Sequence, residues 1–142
     1  MVASGDADGA VTGNTRRFGA SLEKIKQVVD VRDGEIMFGL NMVVHKGKTI
    51  FVGDTSVHEY PTSEQMAEIA ISAARVVRLF GFEPKVAFVS HSTFGQPLTS
   101  RTKHIRTAVD ILKEKKVDFE FDGDMQPDVA LNPEYEDLYP FS

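Results

Sequence analysis

The sequence predicts an α/β protein whose helices pack on the faces of a mainly parallel sheet, and three observations carry that prediction. After Thr49, strand-like and helix-like segments alternate in the order β-α-β-α-β. KVAFVS (residues 85–90) is a short apolar run of the kind buried on both faces of a parallel sheet. Residues 63–80 and 100–115 repeat apolar side chains at helical spacing. A chain of 142 residues, 42% of them hydrophobic, is one domain able to bury a single core.

The elements follow in order. A first helix is expected over residues 21–31, with Ser21 as its cap, Leu22, Ile25, Val28 and Val29 on one face, and the turn Arg32-Asp33-Gly34 as its end. Two runs of strand character, residues 35–45 and 49–54, are separated only by Lys46-Gly47-Lys48. So short a link with a central glycine makes an antiparallel hairpin. In the next helix, residues 63–80, Thr62 and Gln65 form a T-x-x-Q capping box. Its inward residues are expected to be Met66, Ile69, Ala70, Ala73, Ala74, Val77 and Phe80, with Gly81 as the left-handed stop. After the 85–90 strand, the helix over 100–115 turns Ile105, Ala108, Val109, Ile111 and Leu112 inward. A strand over 119–123 and a helical turn or short helix in MQPDVAL follow. The tail NPEYEDLYPFS holds Tyr135, Leu138, Tyr139 and Phe141, too many apolar rings for a disordered end, so it is expected to pack on something.

Composition removes whole classes of function. The chain has no cysteine, so disulfides, zinc–thiolate sites, iron–sulfur clusters and cysteine nucleophiles are excluded. No apolar run reaches the roughly 18 residues of a membrane span, and MVASGDADGA has neither the basic start nor the apolar stretch of a signal peptide. A soluble, cytoplasmic protein with no membrane partner is expected. The net charge of −5 is uneven: residues 118–142 hold eight acidic residues and no lysine or arginine, leaving the remainder at +3. An acidic end and no basic face with interleaved aromatics argue against nucleic acid, but leave room for a small phosphorylated ligand.

DADGAVTG (residues 6–13) invites three chemical readings and fails each by spacing. An EF-hand loop starting at Asp6 needs its glycine at residue 11 and its glutamate at residue 17, where Val11 and Arg17 stand, and Gly9 and Gly13 fit neither a Walker A loop nor a dinucleotide fingerprint. In open α/β sheets, ligands gather at the carboxyl ends of strands. Three such ends are polar here: GDT after TIFV, SHSTFGQP after KVAFV, and DGDM after FEF. In SHSTFGQP, Ser90, Ser92 and Thr93 bring hydroxyls and Gly95 allows close backbone approach, a composition suited to a phosphate or a thioester carbonyl. The same hydroxyls could instead cap the next helix. The loop lacks the G-x-S-x-G of a nucleophile elbow. Four histidines stand without metal-ligand spacing, and His91 reads as a surface residue. Arg16 and Arg17, and Arg101, Lys103 and Arg106, are cations available to phosphate, although Arg101 and Lys103 read first as a solvated helix face. Asp54, Asp122, Asp124 and Asp128 read equally as turn carboxylates, as metal ligands or as bases.

Taken together, DADGAVTG, IFVGDTSVHEYPTSEQMAEIA, FGFEPKVAFVSHSTFGQP and FEFDGDMQPDVALNPE resemble the phosphate acetyl/butyryl transferase family. They are most similar to its version fused behind the malic enzyme domain of bacterial NADP-dependent malic enzymes. DT after the second strand, PTSEQ before the long helix, and DGDM where acetyltransferases proper show DGPLQ-like residues carry that choice of branch.

The resemblance implies a three-layer α/β/α fold like that of isocitrate and isopropylmalate dehydrogenases. Residues 1–142 would form one domain, the second lobe of a two-lobed module that binds coenzyme A between its lobes. It also implies that DADGAVTG faces SHSTFG across the site. The ligand-binding set would then be Asp8, Gly9, Thr12, Gly13, Arg16, Ser90, Ser92, Thr93, Gly95, Asp122 and Gly123, with Arg16 on a coenzyme A phosphate. No catalytic residue and no metal site are expected in this stretch. Ser100-Arg101 has the letters of the family's serine–arginine motif in the wrong place.

The implied role is that of a regulatory acetyl-CoA-sensing and oligomerisation domain of a malic enzyme, self-associating as a homodimer or larger assembly and without transferase activity of its own. NADP and a divalent metal would belong to the malic enzyme domain in cis. The alternatives are a piece of an active phosphate acetyltransferase, moving acetyl from acetyl phosphate to coenzyme A, and an assembly module with a vestigial pocket.

Overall fold

The computed structural model describes residues 1–13, 15–95 and 97–139. Its contacts divide the chain into two compact units, residues 1–35 and 36–142.

The first unit contains one helix, α1 (Phe18–Lys26). It begins three residues before the expected start, because the apolar stripe extends back to Phe18. Ser21 therefore sits inside the helix, its N–H bonded to the Arg17 carbonyl at 3.2 Å. Arg17 takes the cap position without a side-chain bond. The N–H groups of Val28 and Val29 both reach the Ile25 carbonyl, which closes the helix into a turn five residues short of the expected end.

The second unit opens with a hairpin of β1 (Leu40–His45) and β2 (Lys48–Gly53), antiparallel as expected. Its loop is two residues long, because His45 pairs with Lys48. Lys46 and Gly47 both have positive φ (48° and 78°), the type I′ geometry whose twist matches that of the flanking strands. β1 starts at Leu40, not at residue 35, where the Gly39 N–H turns from the ladder to the Asp54 carboxylate at 2.9 Å.

After this come α2 (Ser63–Leu79), β3 (Lys85–Val89), α3 (Ser100–Lys115), β4 (Glu120–Met125), α4 (Pro127–Leu131) and a 3₁₀ helix, Pro133–Leu138. β3 and β4 pair in parallel, and the α2 and α3 helices pack with them, giving the expected α/β architecture. The hairpin forms a second two-stranded sheet of its own. Lys85 of β3 and Glu120 of β4, partners in the register, also join as an ion pair at 2.6 Å.

Both long helices begin in reciprocal capping boxes. Thr62 and Gln65 bond each other's backbone at the start of α2, and Thr99 and Thr102 do so at α3. The core gathers Ala67, Ala70 and Ala74 of α2 against Leu112 of α3 and Phe119. Val86, Phe88 and Phe121 come from the parallel strands. Three alanines on one stripe let the backbone of α2 approach its neighbour closely. Ala67 lies on the inward face beside the expected Ile69, Ala70 and Ala74. Phe80 does not: it is 55% exposed beyond the last turn, its ring tilted against that of Phe51 in β2 with centroids 5.6 Å apart. Arg78 ties the end of α2 to the approach to β4 through both carboxylate oxygens of Asp118, each at 3.0 Å, and the Asp118 carbonyl. The tail packs as its composition implies, with the Tyr139 ring 5.3 Å from Phe94. Phe141 lies outside the described residues.

Candidate functional site

The carboxyl ends of β3 and β4 build one continuous piece of structure from two segments far apart in sequence. Beyond Val89, the Ser90 N–H bonds the Met125 carbonyl at 2.9 Å, and the Phe94 N–H bonds the Asp124 carbonyl at 2.6 Å. The loop after β3 is thus fastened at both ends to the end of β4. Its side chains add a second fastening. Ser92 donates its hydroxyl to Asp124 Oδ2, and Ser90 Oγ lies 3.1 Å from Ser92 Oγ and accepts from the Ser92 N–H at 2.9 Å. Ser92 and Asp124 are both fully buried. Asp124 Oδ1 is also buried and has no hydrogen-bond partner among the described residues.

This arrangement sorts the predicted residues. Ser92 acts from beneath the loop, its proton already committed to Asp124, and Ser90 is half-engaged in the same cluster. The helix-capping reading of these hydroxyls is not realised, because Thr99 caps α3. Thr93 differs from the two serines: it is half-buried, and its hydroxyl has no partner among the described residues, so it remains able to donate to a ligand. Gly95 has a φ of +81°, a conformation that favours glycine, and a Cβ there would stand 2.9 Å from a guanidinium nitrogen at the flexible end of Arg106. Arg106, early in α3, is therefore the cation that the fold brings to this loop. Arg101 instead lies 5.3 Å above the Tyr60 ring.

On β4, Asp122 accepts the Gly123 N–H at 2.7 Å. Gly123 has a φ of +150°, and a Cβ there would lie 2.7 Å from Phe88 Cβ and 2.8 Å from the Phe88 carbonyl oxygen. Only glycine lets β4 run this close to β3. The peptide bonds Gly53–Asp54 and Gly123–Asp124 are both cis. Asp8, Gly9, Thr12, Gly13 and Arg16 belong to the first unit, where all five are exposed. Among the described residues, no group of three histidine or acidic side chains gathers as for a metal ion. No described helix is long and apolar enough to cross a membrane.

The third polar strand end, GDT, brings in a residue that sequence reasoning missed, His58. Beyond β2, Asp54 is held by the N–H groups of Gly39, Ser56, Val57 and His58 and by His58 Nδ1 at 2.8 Å. Burial pushes its pKa up, but the hydrogen bonds from Ser56, the His58 ring, Gly39 and Val57 outweigh it and hold the carboxyl well below the usual range. The signal was present as D-x-x-x-H in GDTSVH, a spacing that by itself reads as a turn.

The family model for phosphate acetyl/butaryl transferase matches residues 1–142. The NADP-dependent malic enzyme of Rhizobium meliloti is 45% identical over 99% of this chain, which spans 18% of that relative. The phosphate acetyltransferase of Bacillus subtilis is 31% identical over 94% of the chain, which spans 42% of it. In structure, a phosphotransacetylase from Streptococcus pyogenes superposes over 99% of the chain and 44% of its own, with a TM-score of 0.85 and 28% identity. The chain thus spans about a fifth of the malic enzymes and under half of the transferases it matches.

Proposed function

The chain belongs to the phosphate acetyl/butyryl transferase family, and from that membership we propose that it is the transferase-like domain of a malic enzyme, serving as an acetyl-CoA sensor and a point of self-association. The similarity to malic enzymes supports the parent: five of them, from different bacteria, match 92–99% of the chain while it covers only 17–20% of each. The observation that carries the ligand reading is the loop over residues 90–95. It is fastened to β4 from below through Ser92 and Asp124, and it presents the free hydroxyl of Thr93 and the guanidinium of Arg106.

Hydroxyl and guanidinium suit a thioester carbonyl or a phosphate oxygen. The capping boxes engage the N–H groups of Thr62 and Gln65 and of Thr99 and Thr102, so those four donors are not offered to an anion. Binding in the larger protein regulates decarboxylation of malate by favouring one of two arrangements of that protein over the other. NADP and the divalent metal act in the malic enzyme domain, in the cytoplasm. The chain has no transferase activity alone. Self-association uses the hairpin face bearing Val43, Ile50 and Val52, all exposed.

Calorimetric titration of acetyl-CoA, with free coenzyme A alongside, into this chain and into the longer protein containing it tests the reading. Saturable binding by the longer protein is expected. Flat titrations of both proteins would leave an assembly module without a ligand.

A further inference from the structure

Asp54 and His58, in the loop between β2 and α2, form an aligned carboxylate–imidazole pair outside the predicted ligand set. Asp54 Oδ1 accepts from Gly39, Ser56 and Val57 N–H at 2.9, 3.0 and 3.1 Å. Its Oδ2 accepts from the His58 N–H at 2.9 Å and from ring Nδ1 at 2.8 Å. Four backbone donors fix the position of the carboxylate, whose side chain is only 2% exposed. An ionised carboxylate has no proton to give, so Nδ1 carries the proton of the shared bond, and in the neutral form of the ring Nε2 presents the lone pair. That nitrogen has no partner among the described residues, and the His58 side chain is 21% exposed. An asparagine would complete the turn as well through one N–H. What imidazole adds is Nε2.

The pair follows the carboxyl end of β2. Its loop leads into the N-terminus of α2, where the Ser63 hydroxyl bonds the His104 carbonyl of α3 at 2.9 Å, so the loops after β2 and β3 enter neighbouring helix ends. Tyr60, two residues beyond His58, lines a cavity of about 500 Å³ together with Thr62, Ser63, Arg101 and His104. With Asp54 beside it the ring adds no net charge to attract an anion, and what it offers a ligand is Nε2.

We propose that His58, aligned by Asp54, accepts the proton of a free coenzyme A thiol, so that this end of the fold distinguishes the thiol from its acetyl thioester. The inference rests on the acyl-CoA reading above and gives that sensor a means of discrimination. In the step, the ligand S–H bond breaks, an N–H bond forms at Nε2, the electron pair stays on sulfur, and Asp54 balances the imidazolium. Short of full transfer, the contact is an S–H to nitrogen hydrogen bond. A thioester has no such proton and leaves Nε2 unused.

Two measurements test it. In the protein labelled with ¹⁵N-histidine, NMR should find His58 as the Nδ1–H tautomer, with its Nε2 resonance moved by coenzyme A and not by acetyl-CoA or desulfo-coenzyme A. In calorimetry, H58N, which keeps a donor for Asp54 and lacks Nε2, should bind coenzyme A about tenfold more weakly and acetyl-CoA unchanged. An Nε2–H tautomer, or equal weakening of both ligands in H58N, would overturn the inference while leaving the acyl-CoA reading in place. Failure of both ligands to bind the unmutated protein would remove that reading, and the thiol assignment with it.

Discussion

Ser92 donates its hydroxyl to the Asp124 carboxylate across 32 residues of sequence, and solvent reaches neither side chain. The bond fastens the loop after β3 to the end of β4, so the shape of the ligand loop depends on a contact beneath it. S92A would leave Asp124 Oδ2 with only the 3.5 Å approach of Ser90. A buried carboxylate stripped of its donor costs about 2 kcal/mol. Urea unfolding should show that loss. Because S92A/D124A removes both partners, its cost should fall short of the sum of the single changes.

Gly123 gives a sharper steric test. A methyl group there meets the Cβ and carbonyl oxygen of Phe88 in the neighbouring strand, and φ is in the region that favours glycine. Neither obstacle is the tip of a flexible side chain that can swing away. G123A should destabilise the second unit by about 3 kcal/mol, read as a lowered denaturation midpoint. G81A is a control of the same sign but lesser size: the left-handed φ of +81° is strained for alanine, but nothing lies within 4 Å of the added atom.

The capping boxes predict small and separable effects. T62A and T99A each remove the side-chain acceptor at a helix start and should cost about 1 kcal/mol. The two sites lie on different helices and cap different N–H groups. Their effects should therefore add, which the double variant checks by thermal denaturation.

The difference between those two caps shows how far the sequence could be read. T-x-x-Q before α2 is a known pattern, but Thr99–Thr102 uses a threonine at the third position, where Glu or Gln is expected, and passed as a plain helix start. Both long helices emerge from the sequence because burial on one face imposes a period, and the hairpin because so short a link with a central glycine joins its two strand-like runs. α1 slipped because its apolar stripe is short and no residue in it is buried, leaving cap chemistry as the only guide. The site is less legible for a different reason. Hydroxyls and glycines at strand ends announce a loop. Which hydroxyl is consumed internally depends on Asp124, and a contact between residues distant in sequence has no local period. His58 stayed hidden because a single histidine acquires a role only from the carboxylate that aims it.

Asp54 links stability to pH with a definite sign. Its folded pKa is depressed, so the stabilisation it gives is fully present above the unfolded value of about 3.9 and is lost as pH falls below that value toward the lower folded one. The acid limb of a stability profile should therefore be shallower in D54N than in the unmutated protein below about pH 4. Above that range D54N should be less stable by about 2 kcal/mol, because an amide cannot accept from every donor that the carboxylate satisfies. Equal slopes in the two proteins would show that other carboxylates govern acid unfolding.

Thr93 and Arg106 should separate two kinds of ligand contact. Thr93 offers a hydroxyl donor whose contribution is short-ranged, while Arg106 offers a full charge beside Gly95. If acetyl-CoA binds at this loop, T93A and R106A should each weaken it about tenfold in the longer protein, the loss expected for a neutral or charge-assisted hydrogen bond. Raising ionic strength should shrink the R106A effect and leave the T93A effect nearly constant, because screening acts on the charge alone. R101A is the internal control: its guanidinium lies over Tyr60, and removing it should change acetyl-CoA affinity less than R106A does. A larger loss in R101A than in R106A would move the phosphate contact away from the loop and toward the cavity beside Tyr60, and Thr93 would then be expected to matter little.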